Sequence, residues 1–139
     1  MTAATVFSIA NMTAMLMWIL MVLLPKWKLT QFLMDHKIIP ILLSVVYAIY
    51  IVSGLISGGS LDFGSLESVM RLFTKEAAVL AGWVHYLVFD LLVGMWMIDQ
   101  NKKYEINQVL MAVCLLGTFM LGPIGFLIFT IIKPIKKSL

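Results

Sequence analysis

Ala81-Gly82-Trp83-Val84-His85-Tyr86-Leu87-Val88-Phe89-Asp90-Leu91-Leu92-Val93-Gly94 sets one imidazole and one carboxyl inside an otherwise apolar and aromatic run. Extended to Glu76 on one side and Ile98 on the other, the run is long enough to cross the roughly 30 Å hydrocarbon core of a bilayer as a helix. At about 100° per residue its faces separate. Leu80, Val84, Leu87, Val88, Leu91, Leu92 and Ile98 take one side, while Gly82, Trp83, Tyr86, Asp90 and Gly94 cluster on the other, with His85, Phe89 and Trp96 along its margin. The pattern predicts a lipid-facing apolar stripe and a bundle-facing stripe of polar, aromatic and glycine residues.

Depth adds to direction. The middle of this run is near Leu87, so His85 and Asp90 both fall within the hydrocarbon zone. A carboxylate there costs about 2.5–3.5 kcal/mol even on lenient insertion scales, so Asp90 is expected to be neutral, or paired and hydrogen-bonded. Tyr86 lies four residues before Asp90 and shares its face, which makes it the local partner; His85, about 140° away, must find its partner on another helix. Asp90, His85 and Tyr86 are therefore the candidate catalytic residues.

Working outward, the rest of the chain has the same character. Of 139 residues 62% are hydrophobic and only 12% charged, and the mean hydropathy is +1.02. These values define the membrane class and leave no room for a separate soluble module. The expected architecture is all-α: a single transmembrane domain, a four-helix bundle with spans at about 5–24, 38–56, 76–98 and 106–132. A short amphipathic segment between the second and third spans, with Leu66, Val69, Met70 and Phe73 on one face, should lie on the membrane surface. Thr74 is positioned to cap the third span, Asp99 to Glu105 reads as a charged turn, and Gly122-Pro123 should kink the fourth span. The apolar N-terminal run lacks a basic lead and a cleavage site, so it is expected to be retained; with no transit-type segment either, a bacterial plasma membrane is the expected location. The slight basic excess flanks the spans and implies no nucleic-acid partner. Cys114 is the single cysteine, so no disulfide or thiolate metal cluster can form within one chain. With four crossings, Lys and Arg fall five to each side, and the positive-inside rule gives no orientation.

Each of the other spans carries a polar stripe at helical spacing. The first has Ser8, Asn11, Met15 and Trp18, the second Tyr47, Tyr50, Gly54 and Ser57, and the fourth Asn107, Met111, Cys114, Thr118, Gly122 and Gly125. Such residues commonly serve as glue between helices. As candidates for contact with an apolar ligand they supply Asn11, Trp18, Tyr47, Tyr50 and Thr118, joined by Trp83 and Phe89 from the third span. No metal or cofactor is expected.

The Ala81–Gly94 run resembles the signature of the plant neoxanthin-synthase-related family, the abscisic-acid-deficiency-type membrane proteins, which has bacterial homologues. Gly64-Ser65-Leu66 and Leu72-Phe73 upstream, and Thr118-Phe119-Met120-Leu121-Gly122-Pro123-Ile124-Gly125 downstream, extend the likeness over almost the whole chain. The resemblance implies four transmembrane helices and, for plant members, conversion of an epoxycarotenoid to an allenic alcohol. That reaction has no net redox change and needs an acid for the departing oxygen and a base for a carbon-bound proton. Asp90 as acid and His85 as base, or the reverse, would meet the need. The implied function is a carotenoid or isoprenoid isomerase, or a binding protein for such a polyene, which enters laterally between aromatic walls.

Two other classes compete. A lone membrane carboxylate with balanced flanking charge also suits a small proton-coupled multidrug-type transporter, working through Asp90 as a dual-topology dimer. A ligand-free assembly factor, pairing His85 and Asp90 with another protein or a second copy in a homo-oligomer, is the third. Haem ligation is disfavoured, because His36 lies in a connector and His85 is the only histidine at mid-membrane depth.

Overall fold

The computed structural model describes residues 1–137, and these are all-α: seven helices and no strand. Three helices are long and apolar enough to cross a membrane: α1 (Ala3–Leu23), α3 (Ile38–Ile56) and α5 (Glu76–Tyr104). The connectors carry α2 (Lys28–Asp35) and α4 (Leu66–Leu72), and the last apolar stretch forms α6 (Gln108–Leu121) and α7 (Pro123–Lys137).

Local signals explain most boundaries. The Thr2 hydroxyl accepts from the Thr5 amide to cap α1, which stops short of Pro25. Ser65 caps α4 in the same way through the Ser68 amide, and the apolar Leu66, Met70 and Phe73 of that segment are exposed. Thr74 does not cap α5: its hydroxyl donates back to the Arg71 carbonyl at 2.7 Å, and Lys75 holds the N-cap position without a side-chain bond. At the other end α5 continues through the expected charged turn as far as Tyr104. Lys102 bonds Asp99 one turn back at 2.9 Å, and Lys102 and Lys103 oppose the negative end of the helix dipole, so these charges extend the helix instead of ending it.

α1, α3, α6 and α7 all pack on α5. α1 runs parallel to it, with Phe7 against Trp83 and Trp18 and Met21 over Gly94, where any side chain would collide with both. α3 runs antiparallel and brings Tyr47 to His85.

The fourth stretch departs from the expected crossing. Instead of kinking and continuing, it folds back on itself at Gly122, whose φ of +46° suits glycine. A Cβ on Gly117 would lie 3.1 Å from the Gly125 Cα, and one on Gly125 would strike the Thr118 amide and hydroxyl and the Cys114 carbonyl. Two such contacts on either side of a Gly-Pro turn define a tight helical hairpin. Its return arm descends alongside the C-terminal half of α5, with Phe126 and Phe129 on Trp96 and Lys133 over the Trp96 and Tyr104 rings. Arms of 14 and 15 residues are about 21–22 Å long, too short to cross a core of roughly 30 Å. In place of four crossing helices there are three long ones and a re-entrant pair.

The hairpin also overturns the charge balance. α7 carries Lys133, Lys136 and Lys137 back to the end that already holds Lys26, Lys28, Lys37, Lys102 and Lys103, so eight of the ten basic residues share one end and only Arg71 and Lys75 the other.

The faces of α5 are likewise arranged otherwise than expected. Leu80, Val84, Leu87, Val88, Leu91 and Ile98, read as lipid-facing, are buried in the core. Trp83, His85, Phe89 and Trp96 are exposed, while Tyr86 and Asp90 are half-buried. In lipid an apolar side chain is equally at home on either side, so periodicity alone does not tell the core face from the outer one.

Candidate functional site

The hairpin reaches only as far as Asp90. Its tip meets α5 at that level, and beyond it the N-terminal half of α5 faces α1. Trp83 Nε1 donates to Asn11 Oδ1 at 2.7 Å, and its ring lies 5.6 Å from Phe7 and 5.4 Å from Tyr86. The Tyr86 hydroxyl donates to the Phe119 carbonyl at 3.3 Å on the hairpin and sits beside the Asp90 carboxyl. Trp83, Tyr86 and Asp90 thus face α1 and the hairpin together.

Asp90 meets the hairpin at its turn. A Cβ on Gly122 would lie 3.0 Å from Asp90 Oδ1, so glycine is needed here for space as well as for φ. Pro123 begins α7 and, having no amide hydrogen, suits the first helical position. The carboxyl lies at the junction where α6 ends and α7 begins. Asp90 Oδ2 is buried and has no hydrogen-bond partner, a costly arrangement for a carboxyl oxygen unless it has a further task.

His85 belongs elsewhere. Its exposed ring packs 5.5 Å from Tyr47 on α3 and 4.7 Å from Phe89, on the side of α5 turned to α3. The structure thus brings Asp90, Tyr86, Trp83 and Asn11 together, and groups His85 with Phe89 and Tyr47. Trp18 is buried, its ring 5.6 Å from Phe119. Tyr50 is half-buried against the core. Thr118 is fully buried, its hydroxyl 3.0 Å from the Cys114 carbonyl and 3.5 Å from the Met97 sulfur. Among the described residues, no His, Cys, Asp or Glu cluster could hold a metal ion.

Phe7, Phe119 and Gly122 complete the site and were not singled out as ligand contacts. Gly122-Pro123 was visible, but as a kink. The signal for a hairpin was the pair Gly117 and Gly125 placed around it, small residues that let two arms meet.

The fold and site define a class: an all-α protein of membrane character, whose central helix presents a carboxyl to the turn of a re-entrant hairpin. The chain belongs to the ABA DEFICIENT 4-like family, whose profile matches residues 5–129 and so includes the hairpin turn. No curated protein and no solved structure matches the chain.

Proposed function

We propose that this chain is a membrane-embedded isomerase or binding protein for a carotenoid or related isoprenoid, with Asp90 as its reactive group. The carrying observation is the buried, unpartnered Asp90 Oδ2 at the hairpin turn, close to the rings of Tyr86, Trp83 and Phe7. Membership of a family related to carotenoid conversion supports the ligand class. An elongated polyene would enter sideways from the lipid and lie against these rings, held by dispersion and shape.

In this reading protonated Asp90 gives its proton to an oxygen of the ligand. The carboxylate so formed takes up the carbon-bound proton that leaves, so that the acid is regenerated without redox change. Tyr86 holds the carboxyl in place. His85, facing α3, serves the outer aromatic wall and not the proton transfer. The basic end lies in the cytoplasm of a bacterial cell by the positive-inside rule, which puts the N-terminus toward the outside. The dual-topology transporter reading drew on balanced flanking charge, and the hairpin removes that balance.

The test is expression in a carotenoid-producing host, purification in mild detergent, and absorbance and mass analysis of bound pigment. Wild type should retain a polyene and form its isomer. Asp90→Asn should keep the fold and the pigment but lower turnover by at least 100-fold, the usual scale for loss of a general acid. Undiminished turnover in Asp90→Asn would remove Asp90 from the chemistry, and a colourless wild type would argue against a polyene ligand.

A further inference from the structure

A cavity of about 610 Å3 lies at the basic end, between the end of α1, α2, the last turns of α5 and the start of α6. This is within the usual range of small-molecule sites. Its lining has two layers. Met21, Ile98, Met111 and Leu115 make an apolar floor, and Lys26, Gln31, Asn101, Lys102, Glu105 and Gln108 make a polar rim in which two lysines face one carboxylate.

The wall is built in advance of any ligand. Asn101 closes the α5–α6 turn by giving its amide to the Ile106 carbonyl at 3.0 Å and accepting the Ile106 amide at 2.7 Å. Gln31 likewise ties α2 to the Pro25 carbonyl. The charge is uneven as well. Lys102 is engaged by Asp99, whereas Lys26 has no ion-pair partner among the described residues. Because the hairpin returns three lysines to this end, the field around the cavity is strongly positive.

Pro25 and Lys26 end the first span, so the rim lies at headgroup level and the floor at the level of acyl chains. We propose that this cavity is a binding site for an anionic amphiphile, with phosphate oxygens on Lys26 and the rim amides and a hydrocarbon chain on the methionine floor. It is distinct from the Asp90 site. The Trp18–Phe119 ring pair, one turn beyond Met21 and Leu115, separates the two.

The experiment is native mass spectrometry of the full chain in detergent, titrated with phosphatidylglycerol or phosphatidylcholine. Wild type should retain one phosphatidylglycerol at least tenfold more tightly than phosphatidylcholine. Lys26→Gln should cut that preference at least fivefold, and Met111→Trp, which fills the floor, should abolish retention of both; Ala112→Phe fills the same space should Met111→Trp fail to fold. Asp90→Asn should bind lipid as wild type does, which separates this site from the polyene reading. Equal retention of the two lipids by wild type, or retention unaffected by Lys26→Gln and by floor filling, would overturn the proposal. So would binding of inorganic phosphate as tight as that of phosphatidylglycerol, since the acyl chain would then contribute nothing.

Discussion

α3 is the most apolar of the three long helices and the least buried, whereas α5 is the least apolar and the most buried: mean hydropathies of 2.3 and 1.7 accompany 11% and 50% burial. In water the order would be reversed, because burial follows hydrophobicity. Here the outside is as apolar as Leu itself, so a helix with little to offer but hydrocarbon stays at the periphery. The centre goes to the helix whose small and polar groups make specific contacts: Gly94 admits Trp18 and Met21, and Asp90 meets the hairpin turn. α5 is thus both the packing axis and the bearer of the Asp90 carboxyl, while α3 meets it through Tyr47 on His85.

The largest effect should come from the element that sheathes α5 and not α3. Gly125→Leu forces the hairpin arms apart against the Thr118 and Cys114 backbone and should cost about 3 kcal/mol or more, seen as loss of folded yield and lowered thermal stability in detergent. Next, Leu91→Ala on α5 and Leu42→Ala on α3 remove the same atoms from sites that are 0% and 54% exposed. The first leaves a cavity and should cost about 2–3 kcal/mol, the second about 0.5 kcal/mol or less. Equal losses in reversible detergent unfolding would mean that α3 is covered by something, and the contrast would fail.

The smallest effect lies in the linker between the two helices. The Asp62 carboxyl accepts the Gly64 amide at 2.9 Å, and this bond, with help from Ser68, holds it below its ordinary range. A lowered folded value means that the contribution is present above the ordinary carboxylate pKa of about 3.9 and is lost as pH falls through the lower one. Hydrogen exchange at Gly64, corrected for its intrinsic pH dependence, should stay constant down to about that pH and quicken only below it; Asp62→Asn should leave unfolding of the bundle unchanged.

Much of this was legible in the sequence. Ile38–Ile56 matches its expected bounds, α1 nearly so, and the stripe Met111, Cys114, Thr118 is buried as its spacing implied. Two things were hidden, for different physical reasons. Hydropathy measures whether a segment tolerates lipid and not whether it traverses the bilayer, so 106–132 read as a crossing while Gly117 and Gly125 were folding it in half. Periodicity separates the faces of a helix, but in lipid it does not say which face is inside, so the apolar stripe of α5 was assigned outward. The site suffered from the second error less than the fold. Asp90, Tyr86, Trp83 and Asn11 are brought together, because Asp90 and Tyr86 share a face and Asn11 is the polar group of the adjoining helix. His85 is left out because five residues along a helix turn a side chain away, a separation visible from the start.

Where the last helix ends decides whether Asp90 meets a hairpin turn. In a Cys114→Ser background, single cysteines at Lys75, Lys103 and Lys133 can be challenged in intact cells with a membrane-impermeant maleimide. The re-entrant hairpin predicts that Lys75→Cys is labelled while Lys103→Cys and Lys133→Cys are both protected until the membrane is opened. Labelling of Lys133→Cys together with Lys75→Cys, with Lys103→Cys protected, would mean that the last stretch crosses after all and that no hairpin turn meets Asp90.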